Sequence, residues 1–136
     1  MKLSLLIVDD DPDDAQLIAY RLKRAGYAVT WTRVEDEAGF TRRLPDADLV
    51  ICDFSMPKFS PVRALDVIRR SGLATPLLLV SGSVSADTAN QLMRLGAVGY
   101  VSKNDLERVG QAVSDILAGR TMTPTVTRSG PIVRIK

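Results

Sequence analysis

Short apolar runs that end on an acid, each followed by a helix start, constrain this chain more than any other feature. Residues 3–8 read Leu-Ser-Leu-Leu-Ile-Val and run straight into Asp9 and Asp10. A run that is apolar at nearly every position suits a strand covered on both faces. Asp11-Pro12 then reads as an N-cap and first helical position, with Asp13 and Asp14 in the first turn, where the helix dipole favours negative charge. Asp11, Asp13 and Asp14 are therefore read as capping and dipole-complementing residues, not ligands. Ala15, Ile18, Ala19 and Leu22 follow at helical spacing, and Gly26 supplies the stop.

The unit repeats. Residues 28–32 form a weaker strand, and 35–44 a second helix with Glu35, Asp36 and Glu37 in its first turn. Residues 48–53, Asp-Leu-Val-Ile-Cys-Asp, are a buried strand that again ends on an acid, Asp53. Ser60-Pro61 opens a helix carrying Val62, Leu65, Val67 and Ile68, closed by Gly72. Residues 76–80 are a fourth strand meeting the turn Ser81-Gly82-Ser83, and Ser85 caps a helix through Leu95. Residues 98–101 are a fifth strand, and Asn104 with Glu107 three residues on reads as a capping box for a last helix to Ala118. Five strands alternating with five helices predict an α/β fold over 1–119, a parallel sheet with right-handed crossovers.

After Gly119 the pattern stops. Residues 120–136 hold two Pro, one Gly, four Thr and no sustained periodicity, so they read as a flexible basic tail or the start of a linker. Residues 132–135 could pair as a strand. The net charge of +2 conceals a division: residues 1–119 carry 14 Lys+Arg against 16 Asp+Glu, or −2, and Arg120, Arg128, Arg134 and Lys136 give the remainder +4. Four charges over that length without aromatics make a thin footprint, so nucleic-acid binding is not expected.

Composition removes whole classes of chemistry. The chain has no His, which excludes Ser-His-Asp and Cys-His catalysis and His metal ligands, and its single Cys excludes a disulfide and Cys-rich metal sites. Neither a signal peptide nor a transmembrane stretch is recognisable, so a cytoplasmic location is expected. Cys52, inside an apolar strand, reads as an inert core residue, and Trp31 as packing.

In an open parallel sheet, ligands collect at the carboxyl ends of the strands. This sequence puts Asp9 and Asp10, Asp53, Ser81, and Ser102-Lys103 there. Carboxylate oxygens suit Mg²⁺, which also accepts phosphate oxygens, while a lysine and a hydroxyl suit a phosphoryl group. Without a cation the acids would repel and raise one another's pKa. The set makes sense as a Mg²⁺ site that handles phosphate.

These residues resemble the receiver domain of two-component response regulators, the CheY-like fold, over residues 3–118. Leu-Ile-Val-Asp9-Asp10-Asp11-Pro12 is similar to its acidic pocket, and Asp48-Leu-Val-Ile-Cys-Asp53-Phe-Ser-Met56-Pro57 to its phosphoacceptor strand and loop. Ser81-Gly82, Gly99-Tyr100-Val101 and Ser102-Lys103 match its hydroxyl switch, aromatic switch and lysine. The resemblance implies a five-stranded sheet in the order 2-1-3-4-5 flanked by five helices. It implies a signalling switch, not an enzyme, in which Asp53 accepts a phosphoryl group from a histidine kinase or phosphotransfer protein. Mg²⁺ would be held by Asp10, Asp53 and the Ser55 carbonyl, with Asp9 acting through water. Lys103 would pair with Asp53 and then with the phosphoryl oxygens, Ser81 would move to bond them, and Tyr100 would rotate inward. The α4-β5-α5 face, residues 84–118, would carry the signal to an output protein, a missing output domain or a homodimer partner.

Two positions depart from the family pattern. Asn104 stands where Pro commonly follows the lysine, and a cis non-proline bond costs about 2.5–4 kcal/mol, so the Lys103–Asn104 bond is expected to be trans. Ser60-Pro61 replaces the usual acidic-Gly pair. Ser55 and Ser83 occupy positions that tune phosphate lifetime in the family. The competing reading from another class is a Mg²⁺-dependent phosphohydrolase of haloacid-dehalogenase type. That family has a second Asp two residues after the first, where this chain has Ser55. A flavodoxin-like cofactor binder ranks last, because acids follow the first strand, and there is no P-loop.

Overall fold

The computed structural model describes residues 1–82 and 84–119, and the backbone of 122–125 and 133–135. Strands β1 (Lys2–Val8), β2 (Ala28–Val34), β3 (Leu49–Cys52), β4 (Leu77–Ser81) and β5 (Gly99–Ser102) pair in parallel in the order β2-β1-β3-β4-β5. Helices α1 (Pro12–Arg24), α2 (Glu37–Arg43), α3 (Pro61–Ser71), α4 (Ala86–Arg94) and α5 (Val109–Leu117) join them. The expected α/β architecture and strand order are both present.

Successive strand residues face opposite sides of a sheet, so a run covered on both faces feeds two cores. Leu6, Val8, Val50, Cys52, Leu77 and Leu79 pack with Phe40, Ile68, Leu92 and Met93 from α2, α3 and α4. Leu5, Ile7, Leu49, Ile51, Leu78 and Val80 pack with Ile18, Leu22, Val109 and Val113 from α1 and α5. Trp31 is a packing residue against this second layer.

Local chemistry sets the helix starts. The Asp11 side chain accepts from Asp13 N–H at 2.9 Å with Pro12 behind it, and Ser85 Oγ accepts from Thr88 N–H at 3.1 Å. Ser60 Oγ accepts from Arg63 N–H at 3.2 Å, and Gly72 ends α3 in the left-handed region at φ 75°. Ser60→Ala is expected to cost about 1 kcal/mol, the ordinary value of an N-cap, read as a lower urea midpoint at unchanged slope. The second helix begins later than residue 35. Asp36 is its N-cap, accepting from Gly39 N–H at 2.8 Å, and Glu35 pairs with Arg33 instead, also at 2.8 Å.

The capping box at Asn104 and Glu107 is not formed. Ser102 Oγ takes the Asn104 N–H at 3.1 Å and opens 3₁₀ turns over Lys103–Arg108. Asp105 leaves helical geometry (φ −127°, ψ 43°), so the ladder breaks and α5 starts afresh at Val109. No cis peptide bond occurs among the described residues, in line with a trans Lys103–Asn104 bond.

The segment read as a flexible tail or linker contains two strands, β6 (Met122–Thr125) and β7 (Val133–Ile135). They pair antiparallel with each other, and β7 pairs antiparallel with β5 through Gly99 and Val133. An edge strand such as β5 presents unpaired backbone groups, which is what a following segment can satisfy. The rest of 120–136, like Ser83, lies outside the described residues.

Candidate functional site

Sheet register builds the site. Val8 pairs with Cys52, so Asp9 and Asp53 leave the sheet side by side. Their backbones remain tied to it: Asp9 N–H donates to the Val34 carbonyl at 3.1 Å and Asp53 N–H to the Val8 carbonyl at 2.8 Å. Asp9 is 1% and Asp53 6% exposed, whereas Asp10 faces solvent. Carboxylate oxygens of Asp9, Asp10 and Asp53 lie within 4.8 Å of one another. The loop after Asp53 returns the Ser55 N–H to Asp53 Oδ1 at 3.4 Å and is pinned by Phe59, whose ring tilts against Phe40 at 5.1 Å.

Strand β5 supplies the cation. Ser81 pairs with Ser102, which places Lys103 at the same edge. Its Nζ donates to Asp14 Oδ2 at 2.7 Å and to Asp53 Oδ2 at 3.4 Å, and lies 2.9 Å from Asp9 Oδ2. The Asp9 contact is a buried ion pair, with the ammonium set directly against this carboxylate oxygen. Burial works to lower the Lys103 pKa, but hydrogen bonding and charge contact with Asp14, Asp9 and Asp53 outweigh it and hold the ammonium above its ordinary range.

The Asp9 carboxyl is pushed up by burial, opposed by the Asp11 N–H at 2.9 Å and by Lys103, and raised further by the charge of Asp53. An all-oxygen set of three carboxylates gathered about one ammonium, more negative charge than that ammonium balances, is what a hard divalent cation such as Mg²⁺ relieves. Burial likewise pushes the Cys52 thiol up, helped by Asp53 and Asp9, so it stays protonated.

The two switch candidates sit on the same edge. Ser81 is 1% exposed and its Oγ donates to Asp53 Oδ1 at 2.7 Å. Tyr100 is buried, in the layer of α2, α3 and α4, and its hydroxyl donates to the Ser81 carbonyl at 3.2 Å. Aspartate, hydroxyl and aromatic therefore form one continuous chain of contacts. Sequence reasoning missed two participants. Asp14, assigned to the helix dipole, is the shortest partner of Lys103. Arg33 donates to the Asp9 carbonyl at 3.2 Å, and nothing in its sequence context signals that.

A family model for the response regulator receiver domain matches residues 5–114. The cell cycle transcriptional regulator CtrA of Caulobacter vibrioides is 27% identical over 133 residues, 96% of this chain and 58% of that protein. The transcriptional regulatory protein ZraR of Salmonella typhimurium is 29% identical over 118 residues, 86% of this chain and 27% of that protein. The chain thus spans little more than half of the first relative and about a quarter of the second. Among solved structures, a LuxR-family two-component response regulator from Aurantimonas superposes with a TM-score of 0.76 at 28% identity, covering 91% of each chain. The signal receiver domain of the putative response regulator NarL from Mycobacterium tuberculosis gives 0.76 at 24% identity, over 88% of this chain and 98% of that one. With the fold, the strand-end acids and the matched span in agreement, the chain belongs to the response regulator receiver domain family of two-component systems.

Proposed function

We propose that this receiver is a phosphorylatable switch in which Asp53 accepts a phosphoryl group from a phosphohistidine on a histidine kinase or phosphotransfer protein. The observation that carries this reading is the convergence of the Asp9, Asp10 and Asp53 carboxylates within 4.8 Å, with Lys103 among them. An Asp53 oxygen forms the new P–O bond as the donor's P–N bond breaks, the imidazole leaves, and an acyl phosphate remains. Mg²⁺ would be held by Asp10, Asp53 and the Ser55 carbonyl, with Asp9 through water, and would neutralise charge on the transferring group. The protein's own part is positioning and charge compensation: Lys103 stands ready for phosphoryl oxygens and Ser81 can donate to one.

Ser81 and Tyr100 already stand on Asp53's side, the first bonded to it and the second bonded to the first. A phosphoryl group would then lock an assembled pair rather than draw it together. The α4-β5-α5 face next to that pair is the proposed output surface, serving an output protein, an output domain absent from this chain or a second copy. Among the described residues no helix is long and apolar enough to cross a membrane.

The test is incubation with acetyl phosphate and Mg²⁺. The intact mass is expected to rise by about 80 Da, the mass of one phosphoryl group, and not to rise when the metal is chelated. No gain from any donor, cognate kinase included, would sink the proposal. Steady turnover of p-nitrophenyl phosphate that depends on Asp53 would replace it with the phosphohydrolase reading.

A further inference from the structure

Lys103 touches three carboxylates, and they are not equivalent. Asp9 and Asp53 belong to the trio able to converge on a cation, while Asp14 lies outside it. Yet Asp14 makes the shortest contact, 2.7 Å, against 2.9 Å to Asp9 and 3.4 Å to Asp53. Nor is Asp14 occupied elsewhere in helix capping: the N-cap bond of α1 runs from Asp13 N–H to Asp11, and Asp11's carbonyl takes the Ala15 N–H.

We infer that Asp14 is a positioning residue for Lys103, holding its ammonium over the acid pocket whatever the pocket carboxylates are doing. This rests on the reading of Asp53 as phosphoacceptor. A lysine is a mobile cation on a four-carbon stem with about 2 kcal/mol of rotamer entropy, so its usefulness depends on what restrains it. On that reading Asp9 would serve the cation through water and Asp53 would become an acyl phosphate, so the charge each offers the lysine changes during the chemistry. Asp14 does neither, so its charge stays available to the lysine throughout. Because Asp14 takes the close contact, Lys103 sits 3.4 Å from Asp53 and compensates the nucleophile without gripping it. At 37% side-chain exposure Asp14 is half open to water, which suits an anchor able to let the ammonium swing toward a phosphoryl oxygen.

A double-mutant cycle on the whole chain tests this. Phosphorylation by acetyl phosphate at saturating Mg²⁺ is followed for wild type, Asp14→Asn, Asp14→Glu, Lys103→Met and Asp14→Asn/Lys103→Met. Asp14→Asn is expected to slow labelling about tenfold, the scale of a small misplacement of a reacting group, and Asp14→Glu to recover most of it. In the Lys103→Met background Asp14→Asn should change the rate by less than about twofold, because the partner it serves is gone. A second readout needs no metal and no turnover. The Lys103 ¹⁵Nζ–¹Hζ signal, slowed in exchange by its carboxylate contacts, should persist in wild type and Asp14→Glu and vanish in Asp14→Asn. Labelling of Asp14→Asn at the wild-type rate, or equal slowing in both backgrounds, would overturn the inference. A wild-type chain that labels from no donor would bring down the phosphoacceptor reading instead, and this one with it, so the two failures are told apart.

Discussion

Asp53→Asn is expected to abolish phosphoryl uptake while leaving the fold as stable as before or more so. The amide keeps the shape of the carboxylate, and its Oδ1 can still accept from Ser81 Oγ, which donates there at 2.7 Å in the native chain. What it lacks is a nucleophilic oxygen. The mass gain of about 80 Da should therefore disappear completely rather than diminish. The stability effect runs the other way. Asp53 is 6% exposed and shares its pocket with Asp9 and Asp10, while Lys103 keeps two other carboxylates. Removing one of several crowded like charges is worth about 1 kcal/mol at the effective dielectric of such sites, seen as a rise of a few degrees in melting temperature without Mg²⁺. Adding Mg²⁺ should raise the melting temperature of wild type more than that of the variant, because ligand linkage follows affinity and one ligand has been lost. Persistence of the mass gain in Asp53→Asn would mean another residue accepts phosphate. A melting temperature far below wild type would mean Asp53 contributes to the fold.

Phe40→Ala is expected to be the most damaging single truncation for the fold. Phe40 has no exposed surface, lies in the layer formed by α2, α3 and α4, and meets the Phe59 ring at 5.1 Å and 52°. Truncating a fully buried aromatic costs about 3–5 kcal/mol, against a total stability of about 5–15 kcal/mol for a domain. Phe59 also anchors the loop that returns the Ser55 N–H to Asp53, so the surviving folded fraction should phosphorylate more slowly as well. Urea unfolding followed by circular dichroism gives the first quantity from the midpoint at unchanged slope. The labelling rate, corrected for the folded fraction, gives the second. A midpoint within about 1 kcal/mol of wild type would contradict the packing argument.

Elements whose cause is local were legible in the sequence. Strand 3–8 follows from a run apolar at every position but Ser4, and α1 and α3 start where Asp11-Pro12 and Ser60-Pro61 place an acceptor before a preset φ. The acids at the ends of β1 and β3 were visible as candidates because charge at the end of a doubly buried strand demands a reason. Other features depend on distant partners or on competition. Asn104 and Glu107 have capping-box spacing, but Ser102 reaches the Asn104 N–H first. Asp14 sits where a helix dipole wants an anion, so local logic explained it fully and concealed its bond to a lysine 89 positions later. The pairing of β7 with β5 joins segments whose own patterns required nothing. Ser81 and Tyr100 stand out in the sequence only through the resemblance, and no periodicity could indicate that the first bonds Asp53 and the second the Ser81 carbonyl.

The main-chain bonds beneath the acids have a consequence in time. Asp9 and Asp53 each donate their peptide N–H to a neighbouring strand, at 3.1 and 2.8 Å, so both backbones stay tied to the sheet just past the ends of β1 and β3. Main-chain ties of this kind open far more slowly than a side chain changes rotamer. On the proposed reading the acids would stay in place, and a change at Asp53 would be carried off by the side chains of Ser81 and Tyr100, whose rotamers relax orders of magnitude faster.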